Sequence, residues 1–364
     1  MIELHNLTKK YEDKTAVDSI SLTMKEGEVT VIIGPSGCGK TTTLRMINRL
    51  ITPTSGTISV EGKDVNKTNV ESLRRRIGYV IQNVGLFPHM TVSANISTVP
   101  KLLGWSKEKQ NDRVLELLEL IGLNPDDYKD KYPRQLSGGE AQRIGVARAL
   151  AANPPILLMD EPFGAVDPLN REVLQGEFLK IQKQLKKTVV FVTHDLDEAI
   201  RMADKILVMK DGRIVQYDSP EEILSAPANN FVRDFVGTNR ALKRLSRFPI
   251  NDSFHKVEAI KENDLSDCNV IKALEKSEFI WVVDQSGILQ GWVQKEDCET
   301  GKPISEIMTV VPWEELGINR EASLREALSK MLAQEVQTLP VIEKKGIFLG
   351  EISLGEIQNR SGRD

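Results

Sequence analysis

Residues Gly34-Pro35-Ser36-Gly37-Cys38-Gly39-Lys40-Thr41-Thr42 match the phosphate-binding pattern G-x-x-x-x-G-K-[ST] at every fixed position. From average residue usage, such a match arises by chance about once in a hundred chains of this length. Its surroundings narrow the reading further. Val29-Thr30-Val31-Ile32-Ile33 reads as a buried parallel strand, and residues 42–50 read as a helix. Strand, glycine turn and helix bring successive N–H groups and a helix N-terminus around one point, where they attract phosphate oxygens. The glycines let the backbone come close, Lys40 can reach the β and γ phosphates, and the Thr41 hydroxyl can hold Mg²⁺. The stretch predicts a nucleoside triphosphate site.

A chain of 364 residues has room for two or three domains, each with its own core. Its 27% charged and 40% hydrophobic residues fit a soluble folded protein rather than a disordered one. A net charge of −4 gives no support for general nucleic-acid binding, so no nucleic-acid partner is expected. Cys38, Cys268 and Cys298 are too scattered for a disulfide framework or a metal cluster. Met1-Ile2-Glu3-Leu4-His5 does not open a signal peptide, and no run approaches the ~18 apolar residues that span a bilayer. Any work at a membrane is expected to pass through a partner, with this chain on the cytoplasmic side.

Residues 1–33 carry short apolar or alternating runs split by turns, a strand-rich entry to the phosphate loop. A further strand is expected at residues 57–60, and residues 92–130 read as mostly helical, with Val114, Leu117, Leu118 and Ile121 on one face. Strand-like runs return at 156–159, 188–193 and 205–209, separated by helices. That alternation predicts an α/β domain with a parallel sheet covered on both faces. The pattern fades near Gly237, and Arg240, Lys243, Arg244 and Arg247 then mark a basic connector whose plain reading is a solvated helix.

Ile156-Leu157-Leu158-Met159-Asp160-Glu161 is an apolar strand ending in two carboxylates. Alone it is a weak motif. Beside a phosphate loop in one sheet, strand ends gather on one edge, so Asp160 can hold Mg²⁺ while Glu161 orients and deprotonates water. His194 follows another apolar strand and precedes a helix opened by Asp195, which makes it a candidate γ-phosphate contact. Leu136-Ser137-Gly138-Gly139-Glu140 has capping-box spacing before a helix at 141–152, and its two glycines make a second anion-binding helix start.

Together these motifs resemble the ATPase subunit of an ATP-binding cassette (ABC) transporter, over residues 1 to about 236 and in family order. Tyr11 matches the aromatic residue that stacks on adenine. Gln82, in Ile77-Gly78-Tyr79-Val80-Ile81-Gln82, matches the glutamine that touches Mg²⁺ and the transmembrane partner. Residues Leu136–Glu140 match the family signature, followed by Asp160-Glu161, Asp167 and His194. The family usually has Gln where this chain has Glu140. The resemblance implies a P-loop NTPase fold of ABC type that uses ATP and Mg²⁺. It also implies a head-to-tail homodimer in which the phosphate loop of one chain (Gly34–Thr42) faces Ser137, Gly138, Gly139 and Glu140 of the other. It further implies permease subunits, an extracytoplasmic binding protein met indirectly, and a peripheral place at the cytoplasmic membrane face.

Within that family, residues 46–56, 85–92 and 95–103 are similar to importers of glycine betaine, carnitine and choline. The stretch after Gln82 is where the family docks its permease, so this likeness bears on partner choice. An amino-acid or methionine importer is the alternative, and Asn48-Arg49-Leu50 and the tail argue against it. A soluble cassette ATPase of translation or DNA repair would carry two fused cassettes or a coiled-coil insertion, and a P-loop kinase has no use for Leu136–Glu140.

The last third repeats. Residues 280–293 align without gaps with 339–352, each reading as strand, glycine turn and strand, preceded by a helix (270–276 and 324–332) and followed by a short one. The pair resembles tandem cystathionine-β-synthase (CBS) modules, a smaller α/β unit that often binds adenosine compounds between repeats. Gln294 stands where that family usually has a hydroxyl; Ser353 supplies one in the second repeat, with Glu356 in place of the usual Asp. Two readings stay open, an adenine- or cyclic-dinucleotide site and a role in dimerisation. The expected boundaries are a cassette at 1–236, a basic linker at 237–252, and repeats at about 253–299 and 304–360.

Overall fold

A computed structural model describes residues 1–12, 14–81, 85–164, 166–237, 240–262, 270, 274, 277–298 and 304–361. The chain divides into two units, Met1–Thr238 and Asn239–Asp364.

The first unit opens with an antiparallel sheet. Strands β1 (Ile2–Tyr11), β2 (Lys14–Met24), β4 (Ser55–Val60) and β5 (Lys63–Asp64) lie in the order β2-β1-β4-β5. A second, six-stranded sheet contains β3 (Val29–Ile33), β6 (Ile77–Val80), β7 (Ile156–Asp160), β8 (Thr188–Val192), β9 (Lys205–Lys210) and β10 (Arg213–Asp218), in the order β10-β9-β3-β8-β7-β6. All its pairings are parallel except β9–β10. Side chains alternate across a strand, and here that alternation divides two cores. Val31 and Ile33, Leu157 and Met159, and Val189 and Phe191 enter one core. Ile32, Ile156, Leu158, Val190 and Val192 enter the other, against β1, β2, β4 and the helix Lys40–Ile47. Burial on both faces explains why the central strands read as unbroken apolar runs rather than alternating ones.

Register sets the site. Ile32 pairs with Val192, and Asp160 pairs with Val192 from the other side, so the C-terminal ends of β3, β8 and β7 lie side by side. Parallel α/β sheets bind ligands beyond this edge. The helix expected at 42–50 spans Lys40–Ile47, and the one expected at 141–152 spans Gly138–Leu150, so both start inside their glycine motifs.

The second unit confirms a repeated hairpin. Strands β11 (Ile260–Lys261), β12 (Phe279–Val283), β13 (Leu289–Gln294) and β14 (Thr309–Val310) form one sheet. Strands β15 (Ile318–Asn319), β16 (Thr338–Ile342) and β17 (Phe348–Ser353) form the other. Val282 pairs with Gly291 and Val283 with Leu289; Val341 pairs with Gly350 and Ile342 with Phe348. Both hairpins thus share one register and one bulge. The helix expected at 324–332 is present as Leu324–Ala333; most of 270–276 lies outside the described residues.

Two boundaries need correction. The stretch 237–252 is no free linker: Leu245, in the helix Arg240–Leu245, and Ile250 are buried in the second unit's core. Nor do the repeats divide at 299–304, because each borrows a segment from the other. His255 bridges to Glu351 beside β17, and β14 pairs with β13. Glycine makes both crossings possible. A Cβ at Gly350 would overlap the His255 carbonyl oxygen, and one at Gly291 would overlap that of Thr309. The physical reason is that exposed strand edges carry unpaired N–H and C=O groups, which the incoming arms satisfy.

Candidate active site

The phosphate loop leaves β3 at the sheet's C-terminal edge. Two of its glycines are required by space as well as conformation. Gly34 (φ +148°) and Gly39 (φ +105°) hold backbones few other residues adopt. A Cβ at Gly34 would overlap the Met209 carbonyl oxygen, and one at Gly39 that of Ala16. Pro35, Ser36 and Gly37 are exposed, Thr42 is half-buried, and Cys38 is buried, which pushes its thiol pKa up. Helix Lys40–Ile47 starts with no side-chain cap and no acidic residue in its first turn. Its first N–H groups are therefore open to an anion. Lys40 is buried, and its Nζ donates to the carbonyls of Gly34 (2.8 Å) and Pro35 (2.9 Å).

Thr41 Oγ1 donates to Asp160 Oδ1 at 2.9 Å, joining the loop to the acid strand. The other Asp160 oxygen lies 3.5 Å from Arg45 Nη2. Burying a carboxylate is costly unless it is paired, and Asp160 is 4% exposed with both oxygens engaged. Arg45 also hydrogen-bonds Tyr79, whose pKa is pushed up by burial first and by the Asp160 charge second. Arg45 did not stand out in the sequence. Its signal was spacing: four residues after Thr41, it shares that residue's helix face.

Glu161 adopts φ +47° just past the end of β7, a left-handed conformation unusual for a non-glycine residue. Its N–H donates to the Val192 carbonyl at 3.0 Å, tying it to the end of β8. The exposed His194 brings Nδ1 to 3.6 Å from Glu161 Oε2. Asp195 caps the next helix, its Oδ1 accepting from Asp197 N (2.9 Å) and Glu198 N (3.2 Å). A carboxylate within reach of an exposed imidazole at this edge can accept a proton from water.

Ser137 and Glu140 form the expected capping box. Glu140 N donates to Ser137 Oγ (3.3 Å), and Ser137 N donates to Glu140 Oε2 (2.7 Å). The Tyr128 hydroxyl donates to the other oxygen, Oε1, at 2.5 Å. That bond is the main cause lowering the Glu140 pKa, and it raises that of Tyr128. Both Glu140 oxygens are thus taken up inside the chain, while Ser137 and Gly138 remain exposed. A lowered carboxyl pKa stabilises the fold above the ordinary range and loses that effect as pH falls. Tyr128→Phe should therefore cost about 1 kcal/mol at neutral pH, the modest end for a bond to a partly exposed charge. The deficit should shrink below the ordinary value of 4.5, as measured by thermal unfolding across pH.

The structure therefore joins Lys40, Thr41 and Asp160 in one group, and Glu161 and His194 in a second along the same sheet edge. Ser137–Glu140 form a separate exposed helix start. Tyr11 ends β1, is 45% exposed, and has Lys9 Nζ 4.9 Å from its ring centre. Asp167 is exposed at the start of helix Pro168–Leu185. Gln82 lies outside the described residues. Sequence reasoning missed Arg45, for which helix spacing was the only signal, and Tyr128, whose contact to Glu140 is not legible from any short motif.

Residues 17–164 match the ABC transporter family model. The chain is 46% identical over 361 residues to the osmoprotectant import ATP-binding protein OsmV of Salmonella typhimurium, covering 97% of this chain and 94% of that one. It is 44% identical to the glycine betaine/carnitine/choline transport ATP-binding protein OpuCA of Bacillus subtilis, again covering 97% and 94%. Among solved structures it is similar to the dimeric, ADP- and phosphate-bound post-hydrolysis state of the cassette MJ0796. That likeness has a TM-score of 0.55 and 36% identity over 60% of this chain and 99% of the other. The chain belongs to the ABC transporter family, as an ATP-binding ATPase subunit.

Proposed function

We propose that the chain is the ATP-hydrolysing subunit of an importer for quaternary-amine osmoprotectants such as glycine betaine, carnitine and choline. The observation that carries this is the reach of the likeness. Alignments at 44–46% overall identity with osmoprotectant import and glycine betaine/carnitine/choline transport ATP-binding proteins span 97% of the chain, cassette and tail included. In this reading the chain works as a homodimer at the cytoplasmic face of the membrane, against permease subunits fed by an extracytoplasmic binding protein. None of its described helices is long and apolar enough to cross a membrane.

In each site, Lys40 and the N–H groups of Gly34–Thr42 hold the ATP phosphates, and Tyr11 stacks on adenine. The Thr41 hydroxyl and Asp160 carboxylate are hard oxygen donors 2.9 Å apart, a pair suited to Mg²⁺. Mg²⁺ bound there would neutralise charge on the phosphates as the γ-phosphoryl leaves. Gln82 is the further candidate ligand. Glu161 accepts the proton of the attacking water, and His194 stays close enough to orient Glu161 and meet the γ-phosphate. Ser137, Gly138, Gly139 and Glu140 close the site from the partner, with the Glu140 charge turned inward onto Tyr128 and Ser137 N.

The tail is read as a CBS-like regulatory pair. Glu356 Oε2 accepts from Ser353 N (2.7 Å) and Oγ (2.9 Å), and its Oε1 lies 2.6 Å from His255 Nδ1. An adenine or cyclic dinucleotide using these groups would first displace those contacts. Uptake of labelled glycine betaine into vesicles, with permease and binding protein present, tests the whole reading. Full-length chain should drive uptake with MgATP inside, whereas labelled methionine should not enter. Truncation after residue 238 should preserve uptake and remove its response to salt or nucleotide. Methionine uptake in place of betaine would overturn the substrate class, and identical responses from both proteins would overturn the regulatory role.

A further inference from the structure

Helices Pro168–Leu185 and Leu196–Met202 follow the two strands that end in Asp160 and His194's segment, and a two-rung ladder joins them. In the outer rung, Arg171 Nη1 lies 3.6 Å from Asp195 Oδ2. In the inner rung, Gln175 Nε2 donates to Glu198 Oε1 at 3.1 Å. Arg171 and Gln175 sit four residues apart on one helical face, and their partners are the N-cap Asp195 and the first-turn Glu198 of the next helix. Glu198 is buried, and that burial raises its carboxyl pKa.

Arg171 does more than pair with Asp195. Its other terminal nitrogen, Nη2, donates to the Val166 carbonyl at 2.9 Å. Val166 immediately precedes Asp167, and Asp195 immediately follows His194. One rigid guanidinium therefore ties the turn carrying Asp167 to the segment carrying His194. A planar fork can hold two partners at a fixed angle, whereas a lysine ammonium offers a single nitrogen on a flexible stem. The remaining Asp195 oxygen is spent capping the helix after His194.

We propose that Arg171 is a positioning residue for hydrolysis, locking the Val166–Asp167 turn to the His194–Asp195 segment so that both take up their places together. This rests on the reading of Glu161 and His194 as the hydrolytic pair. In this proposal Arg171 acts through the Val166 carbonyl and Asp195. Displacing a reacting group by about 1 Å costs on the order of 100-fold in rate. Arg171→Met should therefore lower kcat for MgATP by about 10- to 100-fold, with the Kd for ATP unchanged within about twofold. Asp195→Asn keeps the capping oxygen and removes the charge, so it should give a smaller loss in kcat. Arg171→Lys should fall between wild type and Arg171→Met.

The test measures kcat, ATP affinity and thermal unfolding for these variants and for the Arg171→Met/Asp195→Asn pair in the full chain. If the two residues act through one contact, the pair should be no slower than Arg171→Met alone within about threefold. Wild-type kcat in Arg171→Met, or fully multiplicative losses in the pair, would overturn the proposal. So would a rate loss that tracks lost ATP affinity or lost fold. If Arg171→Met does not fold, Asp195→Asn and Arg171→Lys decide by the same criteria. Glu161→Gln assayed in parallel separates the two readings. An inactive Glu161→Gln beside normal Arg171 variants would overturn only this proposal. An active Glu161→Gln would overturn the hydrolytic pair on which it rests.

Discussion

Replacing Glu161 with Gln is expected to leave ATP binding intact and to slow hydrolysis by about 10²- to 10³-fold or more, as when a general base is removed. The substitution is nearly isosteric, so the N–H bond from residue 161 to Val192 and the left-handed turn can persist. Phosphate-loop contacts are separate: Lys40 is held by Gly34 and Pro35, and Thr41 by Asp160. In the proposed mechanism the substitution removes the oxygen that would take a proton from water, since an amide near His194 cannot serve as a base. With hydrolysis slowed, nucleotide should stay clamped, and the variant should run as a dimer on size exclusion with MgATP. Wild-type turnover in this variant would place the base elsewhere.

Much of the cassette was legible because its chemistry is local in sequence. The phosphate loop needs glycines that no other residue replaces, and Gly34 and Gly39 meet backbone carbonyls from β9 and β2. Asp160 ends one apolar strand buried on both faces and His194 follows another, and strand register then puts these strand ends on one edge. The hairpins of the tail were legible for a different reason, since a repeat exposes itself by alignment even where each strand is short.

What stayed hidden depends on contacts between distant positions. Tyr128 and Glu140 are twelve residues apart, and Arg45 and Asp160 more than a hundred. By position in the chain the arm at His255 belongs to the repeat that follows it, yet its backbone pairs with Glu351 at the far end. Likewise the basic character of Arg240–Arg247 hid the burial of Leu245, because composition reports the charges of a short helix, here half-buried at Arg240, Lys243 and Arg244, and not its one anchoring side chain.

The second large effect is expected at Ser137. Its exposed N-cap position starts helix Gly138–Leu150, and the Glu140 carboxylate is already bound within the chain. Ser137→Arg puts a bulky cation where the partner's γ-phosphate should meet the helix N-terminus. Turnover should be abolished, while ATP binding to the variant's own phosphate loop persists. Lys40→Ala should also lack turnover, through loss of the phosphate-loop ammonium. Mixing the two variants tests the composite site directly. In a mixed dimer, the intact loop of the Ser137→Arg chain faces the intact Ser137 of the Lys40→Ala chain, and the other site carries both defects. Random pairing of equal amounts makes half the dimers mixed, with one whole site in two, so hydrolysis should recover up to about a quarter of the wild-type rate. A mixture no more active than the two variants assayed apart would contradict an ATP site built from two copies of this chain.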